Sequence, residues 1–313
     1  MPWATIMSSQ GPRVGLVHDG AIHVGHDERT LTDLVASGED EIASLRRTLL
    51  DRPSEVVGAE DERVLAPITR PPAIRDALCF LEHMRGCLRA LGRDDELGAV
   101  WEEIPAFYFG NPAGVIGPYA DVAISPGSRW WDLELEVGVV IGRAGRDLSP
   151  AQAADHIAGY TFFCDWTARD LQVKDLEMGL GQGKGKDGAT TLGPWLVTAA
   201  EVADHRRDGR LDLSVGASIN GKELASGSTA DMDWTFEQFL SFASRGTEIS
   251  PGDVIGSGTV PGGCLLEHAS AASLAEESTW LRVGDEVSLY GAALGATRQR
   301  VVAGTTPHPL LES

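Results

Sequence analysis

The sequence predicts a β-rich α+β fold with a mixed or mainly antiparallel sheet core. Short β-type segments are separated by turns rich in glycine and proline, of which the chain of 313 residues has 37 and 16. The regular strand–helix alternation that a doubly wound sheet or a β/α barrel requires is missing. Because 42% of the residues are hydrophobic, the chain can bury one large core or two smaller ones.

Residues 1–70 are predicted to form a small N-terminal α/β domain. Residues 14–24 have the pattern of a hairpin, with an Asp-Gly dipeptide at the turn. Residues 31–50 carry apolar side chains at helical spacing. The proline-containing stretch 68–72 is typical of a boundary, so residues 71–313 are predicted to form a second, larger domain.

The second domain contains helices and strands with recognisable start signals. Ser149 begins a capping box with proline at the first helical position, and Gly159 is predicted to end that helix. Thr235 begins another helix in the same way, and this helix is predicted to end near Gly246. Turn-then-strand units are predicted at residues 251–255 and 283–287.

The charge balance argues against several classes of partner. With 46 acidic and 26 basic side chains, the formal net charge is −20 and the pI is near 4.7. Such a chain lacks the basic excess that binds nucleic acid or an anionic membrane. Every apolar stretch of membrane-spanning length is interrupted, and the N-terminus lacks a basic region followed by an apolar run. Since the four cysteines also form no disulfide framework, a cytoplasmic location is predicted.

Residues 132–141 are the most informative segment. A strand period of two places Asp132, Glu134 and Glu136 on one face. One interpretation is a half-buried strand with a solvated acidic face, as in many antiparallel sheets. The other is a cation site, because like charges on one face repel and residues 139–141 would carry the strand into a core. Closely spaced carboxylates suit a hard cation such as Mg²⁺, Mn²⁺ or Ca²⁺.

A second acidic segment precedes a loop rich in glycine and lysine. Taken alone, Asp165 is expected to be the N-cap of the helical turn that follows it, and Asp170 to pair with Arg169. The loop is not a phosphate-binding loop, because neither of its Gly-Lys pairs is followed by Ser or Thr. It either delivers Lys184 or Lys186 to an anionic ligand or is a solvated loop.

Taken together, these segments resemble the fumarylacetoacetate hydrolase family over about residues 72–302. The markers occur in a fixed order, at residues 132–142, 159–161, 165–172, 186, 190–195, 251–260 and 284–287. Each is weak alone, but the order makes them specific. The resemblance implies that residues 71–313 form a catalytic domain with the mixed β-sandwich or β-roll of this family.

The resemblance also implies a set of site residues. Mg²⁺, with Mn²⁺ or Ca²⁺ as alternatives, would be bound by Asp76, Glu134, Glu136 and Asp165. The predicted catalytic residues are His83, Glu267 and Lys186. The predicted substrate-binding residues are Gln172 and Thr259. In this assignment His83, oriented by Glu267, deprotonates a water molecule, and an imidazole of ordinary pKa near neutrality suits that role.

The segment around His83 favours the hydrolase branch of the family. Members that decarboxylate or tautomerise small oxo acids usually carry H-x-x-E on a mobile lid, whereas Gly86 stands where that glutamate would be. Two tyrosines of the hydrolase branch that contact substrate are replaced by Leu78 and Leu176. These replacements argue against fumarylacetoacetate itself as the substrate.

The predicted function is therefore divalent-metal-dependent hydrolysis of a carbon–carbon bond in a β-diketo acid of acylpyruvate or fumarylacetoacetate type. From the family, a homodimer is expected. The first alternative is a metal-dependent decarboxylase, hydratase or tautomerase of a small 2-oxo acid. A non-catalytic β-module in which Ca²⁺ joins loops ranks lower, because it leaves His83 and Lys186 without a role.

Overall fold

Two mixed β-sheets dominate the structure, a computed structural model that describes residues 1–93, 97–179 and 181–310. The helices are α1 (Leu31–Ser37), α2 (Glu39–Asp51), α3 (Leu81–Ala90), α4 (Val100–Glu103), α5 (Pro150–Ala153), α6 (Arg169–Glu177) and α7 (Phe236–Ala243). The strands up to residue 146 are β1 (Trp3–Ser8), β2 (Gly11–His18), β3 (Ala21–Val24), β4 (Glu55–Gly58), β5 (Val64–Leu65), β6 (Ile74–Ala77), β7 (Phe107–Gly110), β8 (Val115–Ile116), β9 (Val122–Ala123), β10 (Trp131–Asp132), β11 (Leu135–Ile141) and β12 (Gly145–Arg146). The later strands are β13 (Ile157–Ala168), β14 (Ala189–Thr198), β15 (Arg206–Arg207), β16 (Arg210–Leu211), β17 (Ser214–Ile219), β18 (Lys222–Ser228), β19 (Glu248–Ile249), β20 (Val254–Gly256), β21 (Glu286–Gly291), β22 (Gly295–Ala296) and β23 (Gln299–Val302).

The larger sheet has the strand order β4-β3-β2-β1-β14-β13-β11-β20-β6-β7, and the smaller has β18-β17-β21-β23-β9. Most neighbouring strands are antiparallel, but β20 runs parallel to β6 and β23 runs parallel to β9. The two sheets contribute side chains to one hydrophobic core, as in a β-sandwich. The predicted β-rich α+β class is therefore confirmed. Within the described ranges, no helix combines the length and the apolarity needed to cross a bilayer.

The predicted N-terminal hairpin is present as β2 and β3, with Asp19 and Gly20 at the turn. Its sheet continues into the rest of the molecule, because Trp3 of β1 pairs with Leu196 of β14. Helices α1 and α2 cover this region, and Trp3 shares a hydrophobic cluster with Leu31 and Leu196. The N-terminal strands thus extend the large sheet, and the division at residue 70 stays a prediction.

Two of the predicted helices differ in the structure. The predicted helix over residues 31–50 is two helices, because Gly38 between them has a positive φ of 90° that breaks the helical path. The prediction that Gly159 ends a helix is wrong, since α5 ends earlier and Gly159 lies inside β13. A Cβ atom at Gly159 would come within 2.2 Å of the carbonyl oxygen of Val197, so this glycine serves close strand packing. The helix begun by Thr235 is present as α7, and its capping box is formed.

Four adjacent strands, β13, β11, β20 and β6, carry most of the acidic residues of interest. Gly256 of β20 pairs with Asp76 of β6 and lies one strand away from β11, which carries Glu136. On the other side of β11, Leu135 pairs with Cys164, next to Asp165. Because hydrogen-bonded strands lie about 4.8 Å apart, this register brings carboxylates that are distant in sequence to one place.

Candidate active site

Four carboxyl groups form a buried cluster at the centre of the large sheet. They belong to Asp76, Glu134, Glu136 and Asp165, whose exposed fractions are 2%, 4%, 0% and 0%. Each can offer an oxygen so that these atoms all lie within 4.8 Å of one another. The interpretation of residues 132–141 as a strand with a solvated acidic face is therefore wrong. The residues predicted to bind a metal are brought together.

The acidic strand is interrupted at the cluster, since β10 ends at Asp132 and β11 begins at Leu135. Asp132 turns away from the other carboxylates. It accepts hydrogen bonds from Arg169 Nε at 2.9 Å and from the backbone N–H of Leu265 at 2.8 Å. Asp132 therefore anchors the neighbouring loop, while Glu134, in the break between the strands, points into the site.

Two basic side chains contact the cluster. Lys186 Nζ lies 2.5 Å from Glu134 Oε2 and 2.5 Å from Asp165 Oδ2, and Arg169 Nη2 lies 2.6 Å from Glu134 Oε1. Burial would raise the pKa of Glu134, but the charges of Lys186 and Arg169 outweigh it and hold this pKa well below its ordinary range. By contrast, Lys184 is exposed and pairs with Asp187, so only Lys186 of the two loop lysines reaches the site.

The other three carboxyl groups have less neighbouring positive charge than their burial requires. Burial raises the pKa of Asp76, Glu136 and Asp165, and the neighbouring carboxylates add to the rise for Glu136. Asp76 Oδ1 and Asp165 Oδ1 are buried without a hydrogen-bond partner. A Cβ atom at Gly256 would lie 2.2 Å from Asp76 Oδ1, so the glycine leaves room for these oxygens. An all-oxygen, electron-rich cluster with unpartnered atoms fits a hard divalent cation.

His83 and Glu267 form the second part of the site. His83 lies on α3, and its Nδ1 is 2.7 Å from Glu267 Oε1, while Glu267 Oε2 accepts the backbone N–H of Gly262 at 3.0 Å. A Cβ atom at Gly86, the position of the missing H-x-x-E glutamate, would come within 2.6 Å of Glu267 Oε2. Glu267 thus occupies the space beside His83 that a side chain at residue 86 would enter.

The protonation of His83 differs from the expectation of an ordinary imidazole. Burial favours the neutral ring, but hydrogen bonding with Cys264 and Glu267 and the charge of Glu134 outweigh burial and raise the pKa to about 10. His83 Nε2 lies 3.9 Å from Glu134 Oε1, so the ring and the carboxylate cluster sense each other's charge. At neutral pH, His83 is an imidazolium beside these carboxylates.

A cavity of about 330 Å³ connects the carboxylate cluster and the histidine. Its apolar wall includes Leu78, Met84, Leu88, Leu91, Trp101, Phe107 and Leu176. Gln172 also lines the cavity and bonds to Arg169 and Gln182. Thr259 lies behind the cluster, with its hydroxyl 3.4 Å from Glu136 Oε1, and is absent from the described cavity wall. Its predicted contact with substrate stays a prediction.

Several contacts at the site differ from the sequence-based expectations. Asp165 lies inside β13 and is not an N-cap, because α6 begins only after Ala168. Asp170 accepts hydrogen bonds from Ser128 and from the backbone of Arg129, so its predicted pairing with Arg169 is wrong.

Tyr108 on β7 also reaches the site, although the sequence gives no sign of it. Its hydroxyl donates to Asp165 Oδ2 at 2.5 Å, and its ring lies under Lys186. No local motif marks this tyrosine, since only the pairing of β6 with β7 brings it to the site.

Comparison with known proteins places the chain in a family. A family model described as the C-terminal domain of fumarylacetoacetate (FAA) hydrolase matches residues 73–302. The chain belongs to the fumarylacetoacetate hydrolase family. The mitochondrial oxaloacetate tautomerase FAHD2A of Homo sapiens is 29% identical to this family member over 275 residues, which cover 88% of this chain and 80% of the relative.

Solved structures agree with the fold of this family member. The fumarylacetoacetate hydrolase from psychrophilic Exiguobacterium antarcticum matches with a TM-score of 0.72 at 24% identity, over 97% of this chain and 100% of that chain. Maleylpyruvate hydrolase from Sphingobium sp. SYK-6, in complex with manganese(II) ion and pyruvate, matches with a TM-score of 0.72 at 18% identity and the same coverage. The named relatives are enzymes, and this chain is an enzyme of the same family.

Replacing Glu267 by Gln should lower the pKa of His83 by about one to two units. A hydrogen bond to a charged group contributes about 1.5–3 kcal/mol, and about 1.4 kcal/mol corresponds to one pKa unit. The pKa is measured by NMR titration of the His83 ring, assigned by its loss in His83→Ala. The exposed Glu276→Gln is the matched control. An unchanged His83 pKa in Glu267→Gln would mean that the contact does not stabilise the imidazolium.

Proposed function

We propose that this enzyme hydrolyses a carbon–carbon bond in an acylpyruvate-type β-diketo acid with the help of a divalent cation. The observation that carries the proposal is the His83–Glu267 contact at 2.7 Å beside the four-carboxylate cluster. In the proposed reaction, water adds its hydroxyl to the acyl carbon and a proton to the departing methylene carbon. The products are a carboxylic acid and pyruvate.

The proposed metal ligands are Asp76, Glu134, Glu136 and Asp165. Their buried oxygens and the absence of an ordinary partner for two of them support a cation of the Mg²⁺ or Mn²⁺ type. When bound, such a cation would act as a Lewis acid toward the oxygens of the dicarbonyl group. The polypeptide supplies the rest of the chemistry.

His83 is proposed to take the proton of the attacking water. An imidazolium cannot accept a proton, so the reactive form is the neutral ring, which Glu267 holds through Nδ1 while Nε2 faces the carboxylate cluster. The charge of Glu134 is one cause of the raised pKa of His83. A cation bound beside Glu134 would compensate this charge and lower the pKa of His83. Activity is therefore expected to rise with pH until His83 is neutral.

Lys186 and Gln172 are proposed to donate hydrogen bonds to the oxygen that becomes negatively charged. Both side chains line the cavity, and Lys186 is held by Thr167 at 2.7 Å in addition to its two carboxylate partners. Burial disfavours the charged amine, but Asp165 and Glu134 outweigh burial and raise the pKa of Lys186, so it stays an ammonium ion. A fixed cation at this position stabilises negative charge without reorganisation.

The apolar cavity wall supports an uncharged acyl group at the far end of the substrate. Leu78 and Leu176 stand where the hydrolase branch has tyrosines, and Met84 and Trp101 extend the same surface. An apolar group buried there gains roughly 25 cal/mol per Å² of area removed from water. The substrate class thus remains the β-diketo acids, with an apolar acyl substituent.

Tautomerisation of a small 2-oxo acid is the second candidate function. It is favoured by the name of the human relative, an oxaloacetate tautomerase at 29% identity. It is also compatible with a protonated His83, which can donate a proton to carbon. Against it stands Gly86, where the oxo-acid branch usually has the glutamate of its lid. Decarboxylation or hydration, a cytoplasmic location and a homodimer stay predictions from the sequence, whereas membership in a family of enzymes argues against a non-catalytic Ca²⁺-binding module.

Product analysis separates the two reactions. With Mg²⁺ and an acylpyruvate that has an aliphatic acyl group, the hydrolase should release pyruvate and the aliphatic acid in equal amounts. A tautomerase would interconvert keto and enol forms of oxaloacetate and release no fragments. Fragment release by wild type that disappears in His83→Ala supports the proposal, whereas tautomer exchange alone would overturn it.

Metal binding should depend on the cluster and on pH. The raised pKa values of Asp76, Glu136 and Asp165 mean that protons must leave as the cation binds, so Mg²⁺ affinity should fall as pH is lowered. Glu136→Gln should weaken Mn²⁺ binding in calorimetry while the far-UV circular dichroism is unchanged. The exposed Glu286→Gln serves as control. Equal affinity in Glu136→Gln and wild type would contradict the assignment.

Lys186→Met should reduce kcat/KM by at least about 10²-fold, the usual effect of losing an oxyanion donor. Because the substitution removes a positive charge next to Glu134 and Asp165, Mn²⁺ affinity should be retained or increased. Lys184→Met, on the exposed part of the same loop, should have little effect on either quantity. Equal small losses of activity at both positions would contradict the proposed role of Lys186 as an oxyanion donor.

A further inference from the structure

A second cluster of metal-binding side chains lies next to the carboxylate cluster. It consists of His83, Cys87 and Cys264, each of which can offer one ligand atom so that the atoms lie within 4.8 Å of one another. All three side chains are buried, and both cysteines are free thiols. The proposed hydrolysis gives neither cysteine a chemical role, so it does not explain why these three side chains lie together.

The cluster is built from two short segments. His83 and Cys87 are four residues apart on α3 and therefore share one face of the helix. Cys264 and Glu267 come from the turn that ends in the 3₁₀ helix Leu266–His268. Cys87 Sγ lies 3.7 Å from His83 Nε2, and Cys264 Sγ lies 3.5 Å from Glu267 Oε1. The contact between His83 and Glu267 joins the two segments.

These distances are close to those of a tetrahedral zinc site. With Zn–S bonds of about 2.3 Å and Zn–N bonds of about 2.0 Å, neighbouring ligand atoms are roughly 3.5–3.8 Å apart. Cys87 and His83 already have that separation, and Cys264 needs to approach them by about 1 Å at most, given the 4.8 Å limit on these three ligand atoms. Glu267 Oε1 lies 3.5 Å from Cys264 Sγ. Cys87 also lines the cavity, which gives a cation access from the substrate side.

We propose that His83, Cys87 and Cys264, with Glu267 as the fourth ligand, form a site for a thiophilic divalent cation such as Zn²⁺ or Cd²⁺. Two thiolates, an imidazole and a carboxylate suit these soft or borderline ions, whereas the all-oxygen cluster suits hard ions. When the cation binds, each thiol loses its proton to solvent, and the ring nitrogen of His83 that binds must also be free of its proton. At least two protons are therefore released for each cation, and a third where His83 is still an imidazolium.

Occupancy of this site inhibits the enzyme. Cys87 Sγ lies nearer to Nε2 of His83 than to Nδ1, so Nε2 is the nitrogen that binds the cation, and it then has no lone pair left to accept a proton from water. Glu267 is also drawn from its orienting contact with His83 to the cation. The inhibition therefore comes from the histidine side of the cavity and does not require displacement of the ion in the carboxylate cluster.

The test is a titration of the full-length protein with Cd²⁺ while Mg²⁺ is kept saturating. Wild type should develop the ultraviolet thiolate-to-cadmium charge-transfer absorption with one Cd²⁺ per chain and release at least two protons. Cys87→Ser and Cys264→Ser should each lose the absorption or bind Cd²⁺ at least about tenfold more weakly, since even indirect supporting partners contribute 10–100-fold. Cys79→Ser, a buried cysteine outside the cluster, should behave as wild type.

Inhibition provides the second readout. Cd²⁺ should inhibit wild type and Cys79→Ser, whereas Cys87→Ser should need at least about tenfold more Cd²⁺ for the same fractional loss of its own Mg²⁺-dependent activity. If Cys87→Ser fails to fold by circular dichroism, proton release by wild type and the Cys264→Ser titration decide the question. Inhibition without the charge-transfer absorption, or absorption that persists in both cysteine variants at the wild-type Cd²⁺ affinity, would overturn the proposal and place Cd²⁺ in the carboxylate cluster or elsewhere.

Discussion

Burial of four carboxyl groups in one place is the constraint on which the rest of the structure depends. A buried carboxylate needs compensating charge or hydrogen bonds, and several together repel one another. Lys186 and Arg169 both pair with Glu134, and Lys186 also pairs with Asp165, but these two cations leave Asp76 and Glu136 without an ion pair among the described contacts. The cluster is therefore either partly protonated or completed by an additional positive charge, and the proposed reaction uses the second state.

The large sheet holds this costly arrangement in place. Strands β13, β11, β20 and β6 are paired in a register that fixes the backbone at Asp165, Glu136 and Asp76, and Gly256 between them leaves the space that the carboxylates occupy. The hydrophobic core shared with the smaller sheet supports these strands from one side. The His83–Glu267 pair is attached at the rim by α3 and the 3₁₀ turn, where it adjoins both the carboxylates and the cavity.

From the sequence we could predict two things: the helices and strands that have local signals, and the site residues that the family motifs mark. The period-two pattern of residues 132–136 found the acidic segment, but it could not show that Asp132 turns toward Arg169, because that depends on a loop far along the chain. Tyr108 was missed for the same reason. The near-neutral pKa expected for His83 was wrong because burial, Cys264, Glu267 and the carboxylates act on it together, which only a three-dimensional arrangement reveals.

We propose above all that the four-carboxylate cluster holds the catalytic divalent cation. The most direct measurement is an anomalous difference map from crystals of this protein soaked with Mn²⁺. The structure predicts one strong peak within bonding distance of oxygens of Asp76, Glu134, Glu136 and Asp165. A peak confined to another place, or no peak while these carboxylates remain together with only Lys186 and Arg169 as cationic partners, would contradict this assignment.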